Sequence, residues 1–344
     1  MSVFDTLKET SKIIDSEMER VLPNPKNGKT VELKEFYELM NDYSKRGGKR
    51  LRPFLCIAAC EMFGEDPKKA YNSANTLELF QNFVLIHDDI EDGSEERRGK
   101  PALHHICGIE KAINVGDALF YKMWESALGN HETLGAEKAL KIEKELCNLL
   151  NKTLEGQAIE LYWNQSKKCE STEEDYYKMV EKKTAWYTII TPCRMGAIIG
   201  GADEKYLNAL IKFGRPLGMA FQIQDDLLNL IGEADTYGKE IFGDLYEGKH
   251  TLMVAHLASK CSKEEKRKVE SLFAKARKEK NHAEVKEVFE LMKKYGSLEH
   301  AKKKALDLAN EAKEVFEKEF KNIQENNAKK SIREIIDFVI TRKL

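Results

Sequence analysis

Residues 83–92, FVLIHDDIED, change from apolar to acidic within a single predicted helix. At about 100° per residue, Asp88 and Asp92 lie about 40° apart on that helix, one turn above each other. Two carboxylates stacked in this way repel each other unless a cation lies between them. Oxygen ligands at this spacing suit Mg²⁺, which completes its shell with water and phosphate oxygens. A solvated acidic helix end is the alternative interpretation of this stretch alone.

The composition of the 344-residue chain limits the classes of protein to consider. Its 56 basic and 58 acidic residues give a net charge of -2, which argues against a dedicated nucleic-acid-binding protein. No stretch approaches about 18 uncharged apolar residues, so no transmembrane segment is predicted. The seven cysteines form no CxxC pair and the N-terminus has no signal-type apolar core, which indicates the reducing cytoplasm.

Helical patterns run through the whole chain. Runs rich in Ala, Leu, Glu and Lys fill the space between loop signals, and alternating β-branched residues are almost absent, so the sequence predicts an all-α protein. No break in composition marks a linker, and residues 1–344 are expected to form a single domain. The predicted helices cover about 4–21, 31–44, 53–63, 67–92, 109–129, 134–164, 173–200 and 204–232, with three or four amphipathic helices over 250–342.

A second acidic cluster, FQIQDDLLN at residues 221–229, repeats the pattern of the first. Asp225 and Asn229 are again four residues apart after an apolar run. Two long helices that present such pairs can face each other across a bundle cavity, where metal sites are commonly built. Basic residues lie in the loops near both clusters: Lys49, Arg50, Arg52, Arg97, Arg98, Lys239 and Lys249. This combination suits a polyanion the size of a diphosphate, and the two basic groups suggest two of them.

Short motifs in residues 44–250 resemble, in identity and in order, those of the trans-isoprenyl diphosphate synthases, or polyprenyl synthetases. The pattern is most similar to archaeal-type geranylgeranyl diphosphate synthases. The motifs are GGKRLRP (47–53), HDDIED (87–92), RRG (97–99), GD (116–117), GQ (156–157), KTA (183–185), FQIQDD (221–226), GK (238–239) and GD (243–244) followed by Lys249. The resemblance implies a single large helical bundle around a central cavity, of the isoprenoid synthase type, and a homodimer.

The activity that this resemblance implies is that of a Mg²⁺-dependent prenyltransferase. It would condense isopentenyl diphosphate head to tail with dimethylallyl, geranyl or farnesyl diphosphate, by ionisation, condensation and elimination. Geranylgeranyl diphosphate (C20) is the expected product, and farnesyl diphosphate (C15) or a C15/C20 mixture is the alternative.

Three further interpretations are weaker. A class I terpene cyclase would use Asp225, Asn229 and Glu233 as its second metal motif, but Ser or Thr is usual at the middle position. A non-catalytic partner subunit would typically have lost an acidic motif, and both are essentially present here. A His-Asp phosphohydrolase would need a histidine ligand upstream of His87, and residues 1–86 contain none.

The resemblance also implies roles for individual residues. Asp88 and Asp92 would bind two of about three Mg²⁺ ions and Asp225 the third. The residues expected to hold the allylic diphosphate are Arg97, Lys183, Gln222, Lys239 and Lys249. Those expected to hold isopentenyl diphosphate are Lys49, Arg52, Gln81 and Arg98. Thr184 and Tyr187 are expected near the reacting carbons, and with Lys183 and Gln222 they make up the candidate catalytic residues.

Other residues are expected around the metal ligands. They are Asp89, Gln157, Glu160, Asp226, Asn229 and Asp244. Two of these depart from the usual family pattern, because Glu160 and Asn229 stand where many members have Asp. The change at Asn229 is expected to weaken support for the metal site without abolishing activity.

Product length is expected to depend on the helix below Asp88. The candidate residues are Leu77, Phe80, Phe83 and Val84. In the family, aromatic residues four and five positions before the first Asp are associated with the shorter C15 product. This chain has Phe83 at the fifth position and the smaller Val84 at the fourth, which favours C20. Phe83 is predicted to form the floor of the product pocket, and simple core packing is the alternative for this side chain.

Overall fold

The computed structural model describes residues 3–166, 168–232 and 240–341, which are almost entirely helical. The α-helices up to residue 166 are α1 Val3–Val21, α2 Val31–Lys45, α3 Leu51–Met62, α4 Tyr71–Asp92, α5 Leu103–Cys107, α6 Ile109–Leu128, α7 Asn130–Leu134 and α8 Ala136–Ser166. Those after it are α9 Glu173–Val180, α10 Thr191–Ile199, α11 Glu204–Ile231, α12 Gly243–Glu247, α13 Leu252–Lys260, α14 Lys263–Ala274, α15 His282–Lys294, α16 Ser297–Glu319 and α17 Asn327–Thr341.

Shorter elements connect these helices. A π-helical segment, Glu181–Ile190, joins α9 to α10 and is called the π segment below. Turns of 3-10 helix cover Pro25–Asn27, Pro67–Ala70 and Arg277–Glu279, and strands β1 (Glu96–Arg97) and β2 (Lys100–Pro101) pair antiparallel. The all-α prediction is confirmed. Within the described ranges, no helix is both long enough and apolar enough to span a bilayer.

The prediction of three or four helices after residue 250 is wrong, because residues 250–341 contain five. Two of the missed boundaries are N-terminal capping boxes. Ser262 accepts a hydrogen bond from the backbone of Glu265 at the start of α14, and Asn281 does the same with Glu284 at the start of α15. These caps satisfy backbone N–H groups that the first helical turn leaves without partners. The continuous Lys- and Glu-rich pattern concealed both signals.

Helix α11 lies at the centre of the packing. Its first half belongs to a cluster of buried apolar residues formed with α1, α3, α4, α6, α8, α10 and α17. Its second half belongs to another cluster, formed with α9 and α13–α15. Helix α16 contacts α11 extensively and contributes to both clusters. The π segment packs against both α8 and α11 near the junction of the two clusters, and the candidate site is located there.

Candidate active site

A cavity of about 500 Å³ lies between α4, α8, α11 and the π segment. The predicted site residues that line it are Arg52, Gln81, Asp88, Arg97, Arg98, Glu160, Lys183, Thr184, Tyr187, Gln222, Asp225, Asp226, Asp244 and Lys249. The lining residues that were not predicted are Leu85, Tyr176, Met179, Val180, Phe221, His250 and Thr251. Residues from the two acidic motifs and from most of the basic motifs therefore meet in one place. Lys239 lies outside the described residues.

Three carboxylates converge beside this cavity and are together called the carboxylate group below. One oxygen from each of Asp88, Asp92 and Glu160 lies within 4.8 Å of the others. Glu160 was predicted only to surround the metal ligands, whereas Asp225 lines the cavity outside this group. The Asp92 side chain is 1% exposed; its Oδ1 is buried without a hydrogen-bond partner in the described structure, and its Oδ2 lies 2.7 Å from Lys249 Nζ. Converging buried oxygens, one of them without a donor, fit a divalent cation such as Mg²⁺.

Two lysines pair with this carboxylate group and balance part of its charge. Lys183 Nζ is 3.1 Å from Asp88 Oδ1 and also pairs with Glu160. Lys249 Nζ is 2.7 Å from Asp92 Oδ2. Lys183 comes from the π segment, and Lys249 follows α12. The N–H donors of each ammonium can also reach an anionic ligand in the cavity.

The two aspartates of the first motif differ in proton affinity. Burial opposes ionisation of Asp88, but Lys183 and Lys249 outweigh this effect and hold the pKa of Asp88 below its usual range. Burial raises the pKa of Asp92 to about 7, and the nearby charge of Asp88 contributes to this shift against the attraction of Lys249. The cavity therefore holds carboxylates that repel each other in a buried setting, which is the electrostatic condition that a cation relieves.

Asp89 holds Arg97 in place and does not face the cavity. It is fully buried and accepts hydrogen bonds from Arg97 Nε, at 2.9 Å, and from the Tyr43 hydroxyl, at 2.6 Å. Arg97 Nη2 lies 3.8 Å from Asp88 Oδ2, at the edge of the carboxylate group. The Asp89 contacts fix this guanidinium against the cavity wall. Tyr43 was missed in the sequence: it lies on α2, four residues before the basic motif that begins at Gly47, and no local pattern indicates its contact with Asp89.

A second basic wall is formed by Arg52 and Arg98. The Arg52 guanidinium lies 4.2 Å from the centre of the Tyr187 ring and donates to Thr188 Oγ1 at 2.8 Å. Burial and neighbouring guanidinium groups lower the pKa of Arg98 to about 10. Arg52 Nε and Gln81 Oε1 are buried without hydrogen-bond partners in the described structure. Crowded cations and an unpartnered donor are typical of a site that binds an anion.

The rest of the basic motif that contains Arg52 is divided between two environments. Arg50 is buried, has a φ of 48° and pairs with Asp15 on α1 and Glu78 on α4. It therefore anchors the loop between α2 and α3. Lys49 Nζ lies 5.2 Å from the centre of the Phe338 ring on α17, and Lys49 does not line the cavity.

A chain of hydrogen bonds fixes the wall on α11. Thr184 Oγ1 donates to Gln222 Oε1 at 2.8 Å, and Gln222 Nε2 donates to Asp226 Oδ1 at 2.7 Å. The Tyr176 hydroxyl donates to the other Asp226 oxygen at 2.7 Å. Burial raises the pKa of Asp226 to about 6, and Asp225 adds to the shift against these two hydrogen bonds. This chain defines the direction of the Gln222 amide.

Asn229 supports a loop, and this accounts for its departure from the family pattern. Its Nδ2 donates to the Glu240 carbonyl at 3.3 Å, and its Oδ1 accepts from the Asp244 backbone N–H at 2.9 Å. A carboxylate at this position has no N–H to donate. Asn229 therefore positions Asp244 at the cavity wall. Gln157 was also predicted to lie around the metal ligands, and its Nε2 donates to Glu91 Oε2, outside the carboxylate group, at 2.6 Å.

A smaller cavity of about 100 Å³ lies between α4 and α8. It is lined by Val84, Leu85, His87, Asp88, Glu91, Thr153, Leu154, Gln157, Lys183 and Tyr187, and it shares Leu85, Asp88, Lys183 and Tyr187 with the larger one. Phe83 lines neither cavity; its ring centre lies 5.3 Å from that of Phe120 and 5.5 Å from that of Phe80. Leu77 and Phe80 are fully buried in the core.

His250 is a cavity residue that no motif indicated. Its Nδ1 lies 2.9 Å from Ser171 Oγ, and its Nε2 is buried without a partner in the described structure. Burial lowers the pKa of His250 to about 4 despite the attraction of Glu160, so the ring is neutral at pH 7. Its position depends on the packing of Trp163 and Phe273 around it, and the sequence does not specify that packing.

Glycines let the neighbouring helices approach the π segment. A β-carbon at Gly156 of α8 would overlap the backbone of Lys183, and one at Gly218 of α11 would overlap Ala185. The π segment is therefore packed between two helix backbones, and such segments often occur at functional sites. These contacts position Lys183 and Thr184 at the cavity.

Replacing Gly156 by Ala should displace Lys183 and destabilise the fold. Overpacking of this kind costs about 1–3 kcal/mol, so we expect a lower melting temperature in calorimetry and weaker binding of anionic ligands. Asn151→Ala, at an exposed position of α8, is the matched control. Equal melting temperatures for the two variants would show that α8 moves away without cost.

Together these features define a class of protein: an all-helical bundle whose cavity combines converging carboxylates, basic walls for anions and an apolar extension. A family model for polyprenyl synthetase matches residues 33–292. The chain belongs to the polyprenyl synthetase family.

Individual relatives agree with this assignment. The chain is 37% identical over 297 residues to a short chain isoprenyl diphosphate synthase of Methanothermobacter thermautotrophicus, covering 86% of this chain and 87% of that one. The structure matches geranylgeranyl pyrophosphate synthetase of Pyrococcus horikoshii with a TM-score of 0.85 and 34% identity, covering 99% and 98% of the two chains. It also matches a polyprenyl synthase of Caulobacter crescentus complexed with calcium and isoprenyl diphosphate, with a TM-score of 0.84, 28% identity and coverage of 100% and 98%.

Proposed function

We propose that this protein is a Mg²⁺-dependent prenyltransferase that condenses isopentenyl diphosphate head to tail with an allylic diphosphate, giving geranylgeranyl diphosphate. The observation that carries the proposal is the carboxylate group of Asp88, Asp92 and Glu160 beside Lys183 and Lys249 in the cavity wall. The names of the Methanothermobacter and Pyrococcus relatives support it.

The carboxylates would hold about three Mg²⁺ ions, with Asp88, Asp92 and Asp225 as ligands and Glu160 beside them. When bound, these ions stabilise the negative charge of a departing diphosphate. Calcium and isoprenyl diphosphate in the Caulobacter relative support a site for a divalent cation and this substrate class.

The basic residues divide between two diphosphates. Lys183 and Lys249 contact the carboxylate group and would turn to the allylic diphosphate once those carboxylates are otherwise neutralised. Arg97, Gln222 and Lys239 complete that proposed set. Arg52, Gln81 and Arg98, on the other wall, would bind isopentenyl diphosphate, and Lys49 would join them by leaving the Phe338 ring.

The cavity wall would also protect the allylic cation that forms as the C–O bond breaks. Such a cation needs surroundings that exclude water. Leu85, Met179 and Val180 supply apolar surface to the cavity, and Thr184 and Tyr187, which also line it, would lie near the cation. No free side chain is needed as a base, because the departing diphosphate can accept the proton that leaves after condensation.

Asp88→Asn should lower kcat/KM about 10²–10³-fold, the usual effect of losing one preorganised charge contact. The measurement is chromatography of products from the purified chain with Mg²⁺, isopentenyl diphosphate and each allylic primer. Asp307→Asn, on the surface of α16, is the control and should keep full activity. A cyclic hydrocarbon, or no elongated product from the unmodified chain, would contradict the proposal.

Product length would be decided in the smaller cavity beneath Asp88. Val84 lines it from α4, and Thr153 and Leu154 line it from α8. A chain growing away from the carboxylate group would pass Leu85 and Tyr187, which the two cavities share. C20 is the proposed product and C15 the alternative.

Val84→Phe should fill this cavity and shift the product toward farnesyl diphosphate, which radiochromatography of dephosphorylated products would detect. Phe83→Ala tests the alternative that Phe83, the preceding residue, forms the floor of the product pocket. If Phe83→Ala lengthens the product while Val84→Phe leaves it unchanged, the tail follows the α4–α6 side and the smaller cavity is not its path.

We also propose that residues 1–344 act as one domain, that two chains form a homodimer and that the protein works in the cytoplasm. Ten of the thirteen large apolar side chains exposed in the described structure lie on α2, α5, α6 and α8. They are Val31, Leu33, Ile106, Ile109, Ile113, Tyr121, Leu128, Leu140, Leu154 and Tyr162. Helix α6 packs against α2, α5 and α8, so the helices that carry these side chains are neighbours. Exposed apolar side chains on neighbouring helices suit the self-complementary interface of a twofold dimer.

Ile109→Glu, at an exposed position at the start of α6, should raise the dissociation constant of the dimer by burying a charge. Sedimentation velocity over a range of concentrations measures the change. Leu306→Glu, at an exposed position on α16, outside this group of helices, should sediment like the unmodified chain. A monomeric unmodified chain would refute the dimer without affecting the proposed reaction.

A further inference from the structure

We infer that Arg277 is a positioning residue for the active site, because it neutralises Glu247 and thereby keeps Lys249 available for the allylic diphosphate. Arg277 lies on the turn between α14 and α15, outside all the motifs that define the family in this sequence. The inference rests on the proposed function, since it assumes that Lys249 binds the diphosphate.

Glu247, at the end of α12, links Arg277 to Lys249. Its side chain is 8% exposed. Oε1 lies 3.4 Å from Arg277 Nη1 and accepts a hydrogen bond from Ser94 Oγ at 3.1 Å. Oε2 lies 3.1 Å from Lys249 Nζ. One buried carboxylate is therefore shared between a guanidinium from outside the site and an ammonium at the cavity.

Lys249 has two acidic neighbours that compete for it. Its Nζ lies 2.7 Å from Asp92 Oδ2 and 3.1 Å from Glu247 Oε2. To direct its N–H donors to a diphosphate, the ammonium must give up contacts with these carboxylates. A cation at the carboxylate group would release it from Asp92, but that cation would not neutralise Glu247.

Arg277 is held in the position that this role requires. It pairs with Glu240 as well as Glu247, its guanidinium lies 5.6 Å from the Tyr246 ring centre, and its side chain is 16% exposed. Lys280, on the same turn, donates to the carbonyls of Leu245 and Tyr246 at 3.1 and 2.7 Å. The turn therefore holds α12 by its backbone through Lys280 and by its charge through Arg277. Charge pairs that are this well shielded from water are strong compared with exposed ones.

The test is a double-mutant cycle on Arg277 and Glu247. Arg277→Gln should raise the KM for the allylic diphosphate about tenfold, because a less neutralised Glu247 attracts Lys249 more strongly. The KM for isopentenyl diphosphate should stay unchanged. Adding Glu247→Gln should restore the KM for the allylic diphosphate, because the competing carboxylate is gone. Arg333→Gln, which breaks surface pairs with Glu317 and Glu325, is the matched control.

The outcomes distinguish a positioning role of Arg277 from a purely structural one. A purely structural role predicts that the double variant is at least as impaired as Arg277→Gln. It also predicts that kcat falls while the KM values for both substrates rise. Either result would overturn the inference. Glu247→Gln alone provides an independent arm if Arg277→Gln does not fold: its KM for the allylic diphosphate should be equal to or below that of the unmodified chain, and a higher KM would overturn the inference. Failure of the proposed function is separate, because the unmodified chain would then give no elongated product.

Discussion

The structure depends on the pairing of buried carboxylates with buried cations where α4, α8, α11 and the π segment meet. Isolated charges are costly in an interior, and removing one member of a buried pair leaves the other uncompensated. Lys183 and Lys249 meet this constraint for Asp88, Asp92 and Glu160. The same constraint gives the site its capacity for ligands, because cations that balance carboxylates can also balance phosphates.

The surrounding helices hold these charged side chains in position. Close backbone contacts at Gly156 and Gly218 place the π segment against two helices, and Asn229 ties the loop before α12 to α11. Asp89 holds Arg97 from behind. Gly156, Gly218, Asn229 and Asp89 need not touch a substrate. Their effect is to reduce the reorganisation that the charged side chains undergo when a ligand arrives, which is the main electrostatic advantage of a preorganised site.

Charged and apolar side chains line adjoining parts of the site. Carboxylates and cations line the larger cavity, and Val84, Leu85 and Leu154 supply apolar side chains to the smaller cavity between α4 and α8. This arrangement suits a substrate with an anionic head and an apolar tail. The linkage from Arg277 through Glu247 to Lys249 extends the functional unit to a turn beyond residue 249, where the last of the sequence motifs ends.

Local sequence determined the all-α class, the approximate bounds of most long helices before residue 232 and the family, because helical periodicity and short ordered motifs are properties of neighbouring residues. It also identified the acidic and basic residues that line the cavity, since their types and spacing follow from the chemistry of metal and phosphate binding. Tertiary structure alone decided which of them meet. It placed Glu160 among the carboxylates, turned Asp89 toward Arg97 and set Phe83 against Phe120. Such choices depend on how helices far apart in the chain pack together, and no local pattern records that packing.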